Sequence, residues 1–249
     1  MEALRCDSLQ KTFDGTHALR GVTLQFPSTG ITAIIGPNGA GKTTLLNVIT
    51  GFVRPDAGQC FLGQHVISRM APHRISSLGL ARTFQDLRLI QQITVLENVM
   101  LGRPNQRGEH LFYALFRFGV KAEEGRNREG AMRLLQFVGL PGKADELAGE
   151  LSYGEQKLLT LACCMATDAG ILLLDEPVSG VGAEMAPRIM KLLRRLRDDG
   201  KVTIFIEHNI SAVREIADVV IVMDEGKVIA QGPPEEVLGR PEIMEAYLA

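Results

Sequence analysis

The residues of this chain that could do chemistry begin with a glycine-rich segment of the pattern G-x-x-x-x-G-K-T, from Gly36 to Thr43. The pattern is typical of a phosphate-binding loop, because glycines let the backbone approach phosphate oxygens and amides at a helix start attract anions. Lys42 would add a positive charge at the β- and γ-phosphates, and Thr43 would place a hydroxyl on Mg²⁺. The residues predicted to bind the nucleotide here are Gly36, Pro37, Asn38, Gly39, Ala40, Gly41, Lys42, Thr43 and Thr44.

Two acidic residues, Asp175 and Glu176, follow the apolar run 171–174. In a parallel sheet, ligands collect at the carboxyl ends of the strands, which is also where the glycine-rich loop is expected. Asp175 can therefore face the same metal as Thr43, and Glu176 can accept a proton from an attacking water or orient it. Alone, the pair could be a strand end that solvates its charges. Beside the glycine-rich loop, it predicts hydrolysis of the nucleotide.

The hexapeptide Leu151-Ser152-Tyr153-Gly154-Glu155-Gln156 lies shortly before the acidic strand. Ser152 and Glu155 fit a capping box, which explains a helix start but not its place in the sequence. Together with the loop and the acids, the hexapeptide resembles the signature of the ABC ATPase family, and the resemblance covers essentially the whole chain. It implies that Ser152 and Gly154 bind the γ-phosphate held by a second subunit. Tyr153 departs from the glycine that is commoner in the signature.

The same resemblance gives roles to three further residues. It implies that Phe13 stacks on adenine, that Gln85 contacts Mg²⁺ and senses a membrane partner, and that His208 contacts the γ-phosphate; Phe13 could also be an ordinary strand aromatic. The implied catalytic residues are Lys42, Gln85, Glu176 and His208, and the implied metal ligands are Thr43, Gln85 and Asp175. Gly182 stands where the family usually has Asp or Asn, which puts the coupling of two sites through that side chain in question.

The segment 81–89 and the motif Thr94-Val95-Leu96-Glu97-Asn98-Val99 resemble the branch of the family that imports branched-chain or other hydrophobic amino acids, with urea and amide importers as relatives. The resemblance implies ATP and Mg²⁺, transmembrane permease subunits, and a second ATPase subunit that is identical or closely related. It also implies an indirect extracytoplasmic solute-binding partner and a peripheral place on the cytoplasmic face of the cytoplasmic membrane. An exporter of lipid-linked material, and a non-transport ABC ATPase in translation or DNA repair, remain alternatives.

The composition narrows the possible partners. A net charge of −2 and a sequence pI of about 6.2 give no basic footprint for nucleic acid, so no such partner is expected. No uncharged apolar run approaches the roughly 20 residues that span a bilayer, and no signal peptide is visible. We therefore expect a soluble chain that serves a membrane through a partner. The four cysteines lack the spacing of a zinc site and are expected to be buried.

The elements that position these residues follow from hydrophobic patterning. Strands are predicted at 4–9, 18–26, 31–35, 171–174, 202–206, 219–223 and 227–230, and helices at 43–50, near 189–196, at 233–238 and at 242–247. Alternating strands and helices predict an α/β fold with a largely parallel, mixed sheet. The family resemblance adds a P-loop NTPase core of the ABC type, an antiparallel β subdomain within about 1–30 and 52–70, and a helical subdomain at about 92–165. The segment 103–128, which mixes charged and large apolar residues, is interpreted as a helical insertion or a solvated surface helix.

Overall fold

The computed structural model describes residues 4–104, 120–241 and 243. Its strands are β1 (Leu4–Phe13), β2 (Thr16–Gln25), β3 (Ile31–Ile35), β4 (Ala57–Leu62), β5 (His65–Val66), β6 (Leu80–Arg82), β7 (Ile171–Asp175), β8 (Val202–Ile206), β9 (Val219–Asp224) and β10 (Lys227–Gly232). Its α-helices are α1 (Lys42–Ile49), α2 (Pro72–Ser77), α3 (Val95–Leu101), α4 (Val120–Val138), α5 (Tyr153–Ala166), α6 (Met185–Asp198), α7 (Ile210–Ile216) and α8 (Pro234–Val237).

The larger sheet has the strand order β10-β9-β3-β8-β7-β6. Only β10 runs antiparallel to its neighbour, and the other pairs are parallel. The carboxyl ends of β3, β8 and β7 therefore lie at one edge, with a single strand between the first and the last. This arrangement brings the glycine-rich loop after β3 to the same edge as the acids after β7.

Both faces of the central strands β3, β7 and β8 are buried, which is why these strands appear in the sequence as continuous apolar runs. In β3, Ile31, Ala33 and Ile35 pack into one hydrophobic cluster and Ile34 packs into another. The first cluster also contains residues of α3 to α7, whereas the second contains α1 and the smaller sheet. The alternation of side chains along a strand thus joins the sheet to two different layers.

The smaller sheet is antiparallel, with the order β2-β1-β4-β5. Its first hairpin turns at Asp14 and Gly15, which both have positive φ angles, of 45° and 83°. Strand β1 reaches Phe13 and is longer than the predicted strand at 4–9. The mixed larger sheet, the antiparallel smaller sheet and the group of helices confirm the predicted fold class.

Helices α3, α4 and α5 pack together through residues of the first hydrophobic cluster. Part of the predicted insertion at 103–128 lies outside the described residues, as does nearly all of the predicted helix at 242–247; α4 accounts for the insertion from residue 120 onward. Among the residues that the structure describes, no helix has the length and hydropathy to cross a membrane.

Candidate functional site

The glycine-rich loop joins β3 to α1, and its conformation depends on glycine. A Cβ atom on Gly36 would lie 2.0 Å from the carbonyl oxygen of Met223, and one on Gly41 would lie 2.4 Å from that of Ala18. Both glycines also have φ angles in the left-handed region, at 149° and 95°. The loop therefore lies between β2 and the end of β9, and a larger residue at either glycine would displace backbone.

Lys42, the first residue of α1, is buried and folds back over the loop. Its Nζ donates hydrogen bonds to the carbonyl oxygens of Gly36 at 2.6 Å and Pro37 at 2.8 Å. Burial lowers the pKa of Lys42, while the carboxylates of Glu176 and Asp175 oppose that shift. The ammonium group is thus held within the loop, close enough to both acids to feel their charge.

A cavity of about 400 Å³ opens at this edge of the sheet. It brings together the loop and residues that follow three different strands. Its lining is formed by Ala18, Asn38, Gly39, Ala40, Gly41, Lys42, Thr43, Thr44, Gln85, Glu176, Ile206 and His208. Apart from Lys42 in the loop itself, the implied catalytic residues are Gln85, Glu176 and His208, and all three line the cavity together with the loop.

Glu176 and His208 form a pair at the cavity wall. The Oε1 atom of Glu176 lies 3.2 Å from Nε2 of His208. Glu176 has a φ angle of 50°, in the left-handed region that non-glycine residues rarely adopt, and such strain often marks functional sites. Its backbone is held on both sides, because its N–H donates to the carbonyl of Ile206 at 3.0 Å and its own carbonyl accepts from Nζ of Lys157.

Two charged residues that the sequence analysis missed support this pair. Glu207 is 1% exposed, and its carboxylate accepts hydrogen bonds from the backbone N–H of Val178 at 2.7 Å and of His208 at 3.2 Å. Burial raises the pKa of Glu207 and lowers that of Lys157. The sequence did contain a signal for Glu207, because this acid directly follows the apolar strand β8 and directly precedes His208.

Asp175 ends β7 but is engaged by an arginine. Its Oδ2 atom accepts a hydrogen bond from Nη2 of Arg82 at 3.0 Å, and its backbone N–H donates to the hydroxyl of Thr83 at 3.1 Å. The side chains of Arg82 and Asp175 are only 4% and 5% exposed. Burial lowers the pKa of Arg82, and Asp175 opposes that shift. The sequence analysis did not give Arg82 a role.

The oxygen donors at this edge fit a magnesium ion that arrives with a nucleotide. Mg²⁺ is usually held by one or two carboxylates together with waters and substrate phosphates, rather than by a cage of protein ligands. Of the predicted ligands, Thr43 and Gln85 line the cavity and supply a hydroxyl and an amide oxygen, whereas the Asp175 carboxylate does not line it and is buried against Arg82. Within the described part of the chain, no cluster of three or more His, Cys, Asp or Glu residues could hold a metal by itself.

Ser152 and Gly154 lie at the start of α5 and are not among the residues that line this cavity. The predicted capping box is confirmed. The Ser152 hydroxyl accepts from the N–H of Glu155 at 3.4 Å, and the Glu155 carboxylate accepts from the N–H and the hydroxyl of Ser152 at 2.9 and 2.7 Å. A hydroxyl and the first amides of a 14-residue helix therefore gather at one exposed end.

Phe13 and Gly182 both lie exposed at the surface. Phe13 is the last residue of β1 and is 43% exposed, at the hairpin whose second strand carries Ala18 to the cavity. The ammonium of Lys11 lies 5.1 Å from its ring centroid. A Cβ at Gly182 would meet open space, so packing does not explain the glycine.

A second, more apolar cavity of about 350 Å³ lies between the P-loop core and α5. Its aromatic residues Phe52 and Phe84 contact each other edge to face, with ring centroids 5.2 Å apart. The guanidinium of Arg88 lies 3.5 Å from the Phe84 ring. Phe84 lines this apolar groove, and the next residue, Gln85, lines the polar cavity, so consecutive residues connect the two.

Comparisons with known proteins show the family of this chain. A family model described as "ABC transporter" matches residues 19–179. A protein of Archaeoglobus fulgidus named "Probable branched-chain amino acid transport ATP-binding protein LivG" is 38% identical over 248 residues, covering 100% of this chain and 96% of the relative. The high-affinity branched-chain amino acid transport ATP-binding protein BraF of Pseudomonas aeruginosa is 35% identical over 247 residues, covering 98% and 97% of the two chains.

Among solved structures, the ADP conformation of an ATP-binding cassette of an ABC transporter superimposes with a TM-score of 0.87. It is 34% identical in sequence, and the match covers 100% of this chain and 99% of that one. The likeness therefore extends over both sheets and the helices. The chain belongs to the ABC transporter family, as one of its ATP-binding cassettes.

Proposed function

We propose that this chain is the ATP-hydrolysing subunit of a transporter that imports branched-chain or other hydrophobic amino acids, or related small polar solutes. The observation that carries the proposal is the polar cavity, where Lys42, Gln85, Glu176 and His208 meet the glycine-rich loop. The names of the LivG and BraF relatives support the amino-acid cargo.

Some residues of the cavity bind the nucleotide, and others take part in its hydrolysis. The loop amides and Lys42 bind the phosphates of ATP, and Phe13 stacks on its adenine. Glu176 orients the attacking water and accepts its proton, while His208 contacts the γ-phosphate and holds the Glu176 carboxylate. Lys157 and Ile206 hold the backbone of Glu176, and the contact with His208 at 3.2 Å orients its carboxylate.

Mg²⁺ would be held by Thr43, Gln85 and Asp175 together with the nucleotide. When bound, it neutralises charge on the β- and γ-phosphates. The contribution of the chain is to place three oxygen donors from three different segments at one edge of the sheet.

A second ATPase subunit, identical or closely related, would complete the site. Ser152 and Gly154 are assigned to γ-phosphate binding but do not line the cavity of their own chain. The positive end of α5 and the Ser152 hydroxyl suit an anion presented by a partner. Two chains arranged head to tail would therefore each supply a loop and receive a capped helix.

Transmembrane permease subunits are the proposed partners at the apolar groove. The exposed Phe52 and the half-buried Phe84 offer apolar area, and Arg88 adds a charge beside them. Gln85, one residue past Phe84, reaches the nucleotide cavity, so a partner in the groove would be sensed there. The chain would then lie on the cytoplasmic face of the membrane, with an extracytoplasmic solute-binding protein delivering cargo to the permease.

The decisive variant is Glu176→Gln, which keeps the size of the side chain but removes the carboxylate. ATP binding should persist, while turnover should fall by roughly 100-fold or more, as expected for loss of a general base. Glu215→Gln is the matched control, because Glu215 pairs with Arg194 at the surface, away from the cavity. Unchanged phosphate release by Glu176→Gln would refute the role of Glu176.

An experiment that identifies the cargo requires the assembled transporter. With its permeases in vesicles and a solute-binding protein present, ATP-dependent uptake of leucine, isoleucine or valine should depend on Glu176. Movement of a lipid-linked substrate in the opposite direction would replace import by the export alternative. Co-purification with ribosomes or DNA instead of permeases would overturn the transport function.

A further inference from the structure

Arg82, the last residue of β6, is hydrogen-bonded to Asp175, a predicted metal ligand, and to the α1 region. Its Nη2 donates to Oδ2 of Asp175 at 3.0 Å. Its Nη1 donates to Oδ1 of Asn47 at 2.8 Å and to the hydroxyl of Thr50 at 3.1 Å. One guanidinium therefore connects the end of β7 with α1 and with the residue that follows α1.

The positions of its two partners in the α1 region relate Arg82 to the candidate metal ligand Thr43. Asn47 and Thr50 follow Thr43 by four and seven residues, the spacing that places side chains along one face of a helix. The guanidinium bonds to that face on one side and to Asp175 on the other. It thereby fixes the positions of the two predicted metal ligands, Thr43 and Asp175, relative to each other.

The burial of the pair needs an explanation other than stability. Both side chains are at most 5% exposed. Removing two charges from water is costly, and buried ion pairs often contribute no more to stability than apolar residues of the same volume. A charge pair of this kind is better explained by the geometry that it fixes. Arg82 uses Oδ2 of Asp175, so Oδ1 can still serve the metal or a water bound to it.

The shape of arginine suits this task better than that of lysine. The guanidinium is a planar fork with several donors in fixed directions, whereas lysine carries its charge on one nitrogen. In this structure the two terminal nitrogens of Arg82 serve different elements. A lysine could neutralise Asp175 but could not hold Asn47 and Thr50 in the same way.

We propose that Arg82 is a positioning residue of the magnesium site, which sets the Asp175 carboxylate against the Thr43 face of α1. This inference rests on the proposed function, because it assumes that Asp175 and Thr43 serve a magnesium nucleotide. Partners that orient the carboxylate ligands of a metal are typically worth roughly 10- to 100-fold in metal affinity. Arg82 should therefore affect the gain in nucleotide affinity that magnesium gives, more than nucleotide binding itself.

The test measures binding of AMP-PNP to the full chain in EDTA and in saturating Mg²⁺, so that hydrolysis does not enter. Arg82→Met should leave the affinity in EDTA within about threefold of the wild type and weaken binding in Mg²⁺ by roughly tenfold or more. Arg82→Lys should fall between the two, because it keeps the charge but loses the fork. Arg188→Met is the structural control, since Arg188, in the first turn of α6, donates to the carbonyls of Val138 and Gly139 at the end of α4 and does not line the cavity.

The outcomes separate this inference from the function on which it rests. If the wild type binds no AMP-PNP in Mg²⁺, the proposed function fails. If the wild type binds and gains from Mg²⁺ while Arg82→Met keeps the same gain, the positioning role fails and the function stands. Equal losses in Arg82→Met and Arg188→Met would also overturn the role. If Arg82→Met does not fold, Arg82→Lys decides, and an unchanged magnesium gain in that variant refutes the proposal.

Discussion

Two helices of this protein begin with the same capping chemistry but lie in different surroundings. In α3, the Thr94 hydroxyl accepts from the N–H of Glu97 at 3.1 Å, and the Glu97 carboxylate accepts from Thr94 N–H and hydroxyl, both at 2.8 Å. The box of Ser152 and Glu155 at α5 has the same three bonds. Local geometry alone therefore does not distinguish a helix start that recognises a ligand from one that only begins a helix.

What distinguishes the two helices lies beyond the box. One turn along α5, Lys157 donates to the carbonyl of Glu176 and so links this helix to the pair of Glu176 and His208 at the cavity. Glu155 also forms an ion pair with Lys143 at 3.1 Å. Along α3, Asn98 bonds instead to the backbone of Ile90. The role of a capping box therefore depends on the contacts that its helix makes with the rest of the protein.

The largest expected difference between the two boxes is in turnover. Ser152→Ala should reduce ATP hydrolysis by roughly 100-fold, because the proposed function assigns its hydroxyl to the γ-phosphate held by a partner subunit. Thr94→Ala should change the rate by less than about twofold, since its box faces no proposed substrate. Phosphate release at saturating Mg-ATP measures both. Equal rates in the two variants would break the comparison.

A smaller effect should be shared by both variants. Each loses a cap that satisfies helix amides, so each should lower the free energy of unfolding by about 1 kcal/mol. Urea unfolding of the nucleotide-free protein measures this loss. Similar stability losses with dissimilar turnover would assign the effect of Ser152 to catalysis, whereas a much larger loss in Ser152→Ala would explain low turnover by unfolding.

The smallest effect concerns pH. Hydrogen bonds from Ser152 and the ion pair with Lys143 hold the pKa of Glu155 below its ordinary value of 4.5, and hydrogen bonds from Thr94 lower that of Glu97. A lowered folded-state pKa gives stability that is present above the ordinary value and is lost as pH falls through the folded-state value. The stability gap between wild type and Glu155→Gln should therefore shrink from about pH 7 to pH 4.

The same gap should shrink less for Glu97→Gln, because Arg128 lowers the pKa of Glu97 through its charge alone, whereas Lys143 lowers that of Glu155 through both a hydrogen bond and its charge. Urea midpoints at the two pH values give the comparison. A larger acid-dependent change in Glu97→Gln would contradict the role assigned to Lys143.

The parts of the fold that could be predicted are those in which one segment determines its own structure. The strands at 31–35 and 202–206 match the structure in their bounds, because continuous apolar runs suit a sheet covered on both faces. The loop at Gly36 to Thr43 and the box at Ser152 follow from spacing alone. The sequence also predicted that Gln85, Glu176 and His208 would gather at the loop, through the family resemblance.

The residues that were missed depend on contacts between distant segments. Arg82 follows two apolar residues in β6, and nothing nearby indicates that its charge is buried against Asp175, 93 residues later. Lys157 looks like an exposed helix residue until β7 is packed beside α5. Pairings of this kind are set by sheet order, which local patterns do not encode.

The wedged glycines of the phosphate loop affect how transport-deficient strains should be made. A substitution at Gly36 or Gly41 would collide with the backbone at Met223 or Ala18, so it would reduce the amount of folded subunit. A cell carrying such an allele would lose uptake because the complex fails to accumulate, which says nothing about the ATP cycle. Glu176→Gln is the better null allele, since it should leave the abundance and assembly of the subunit intact.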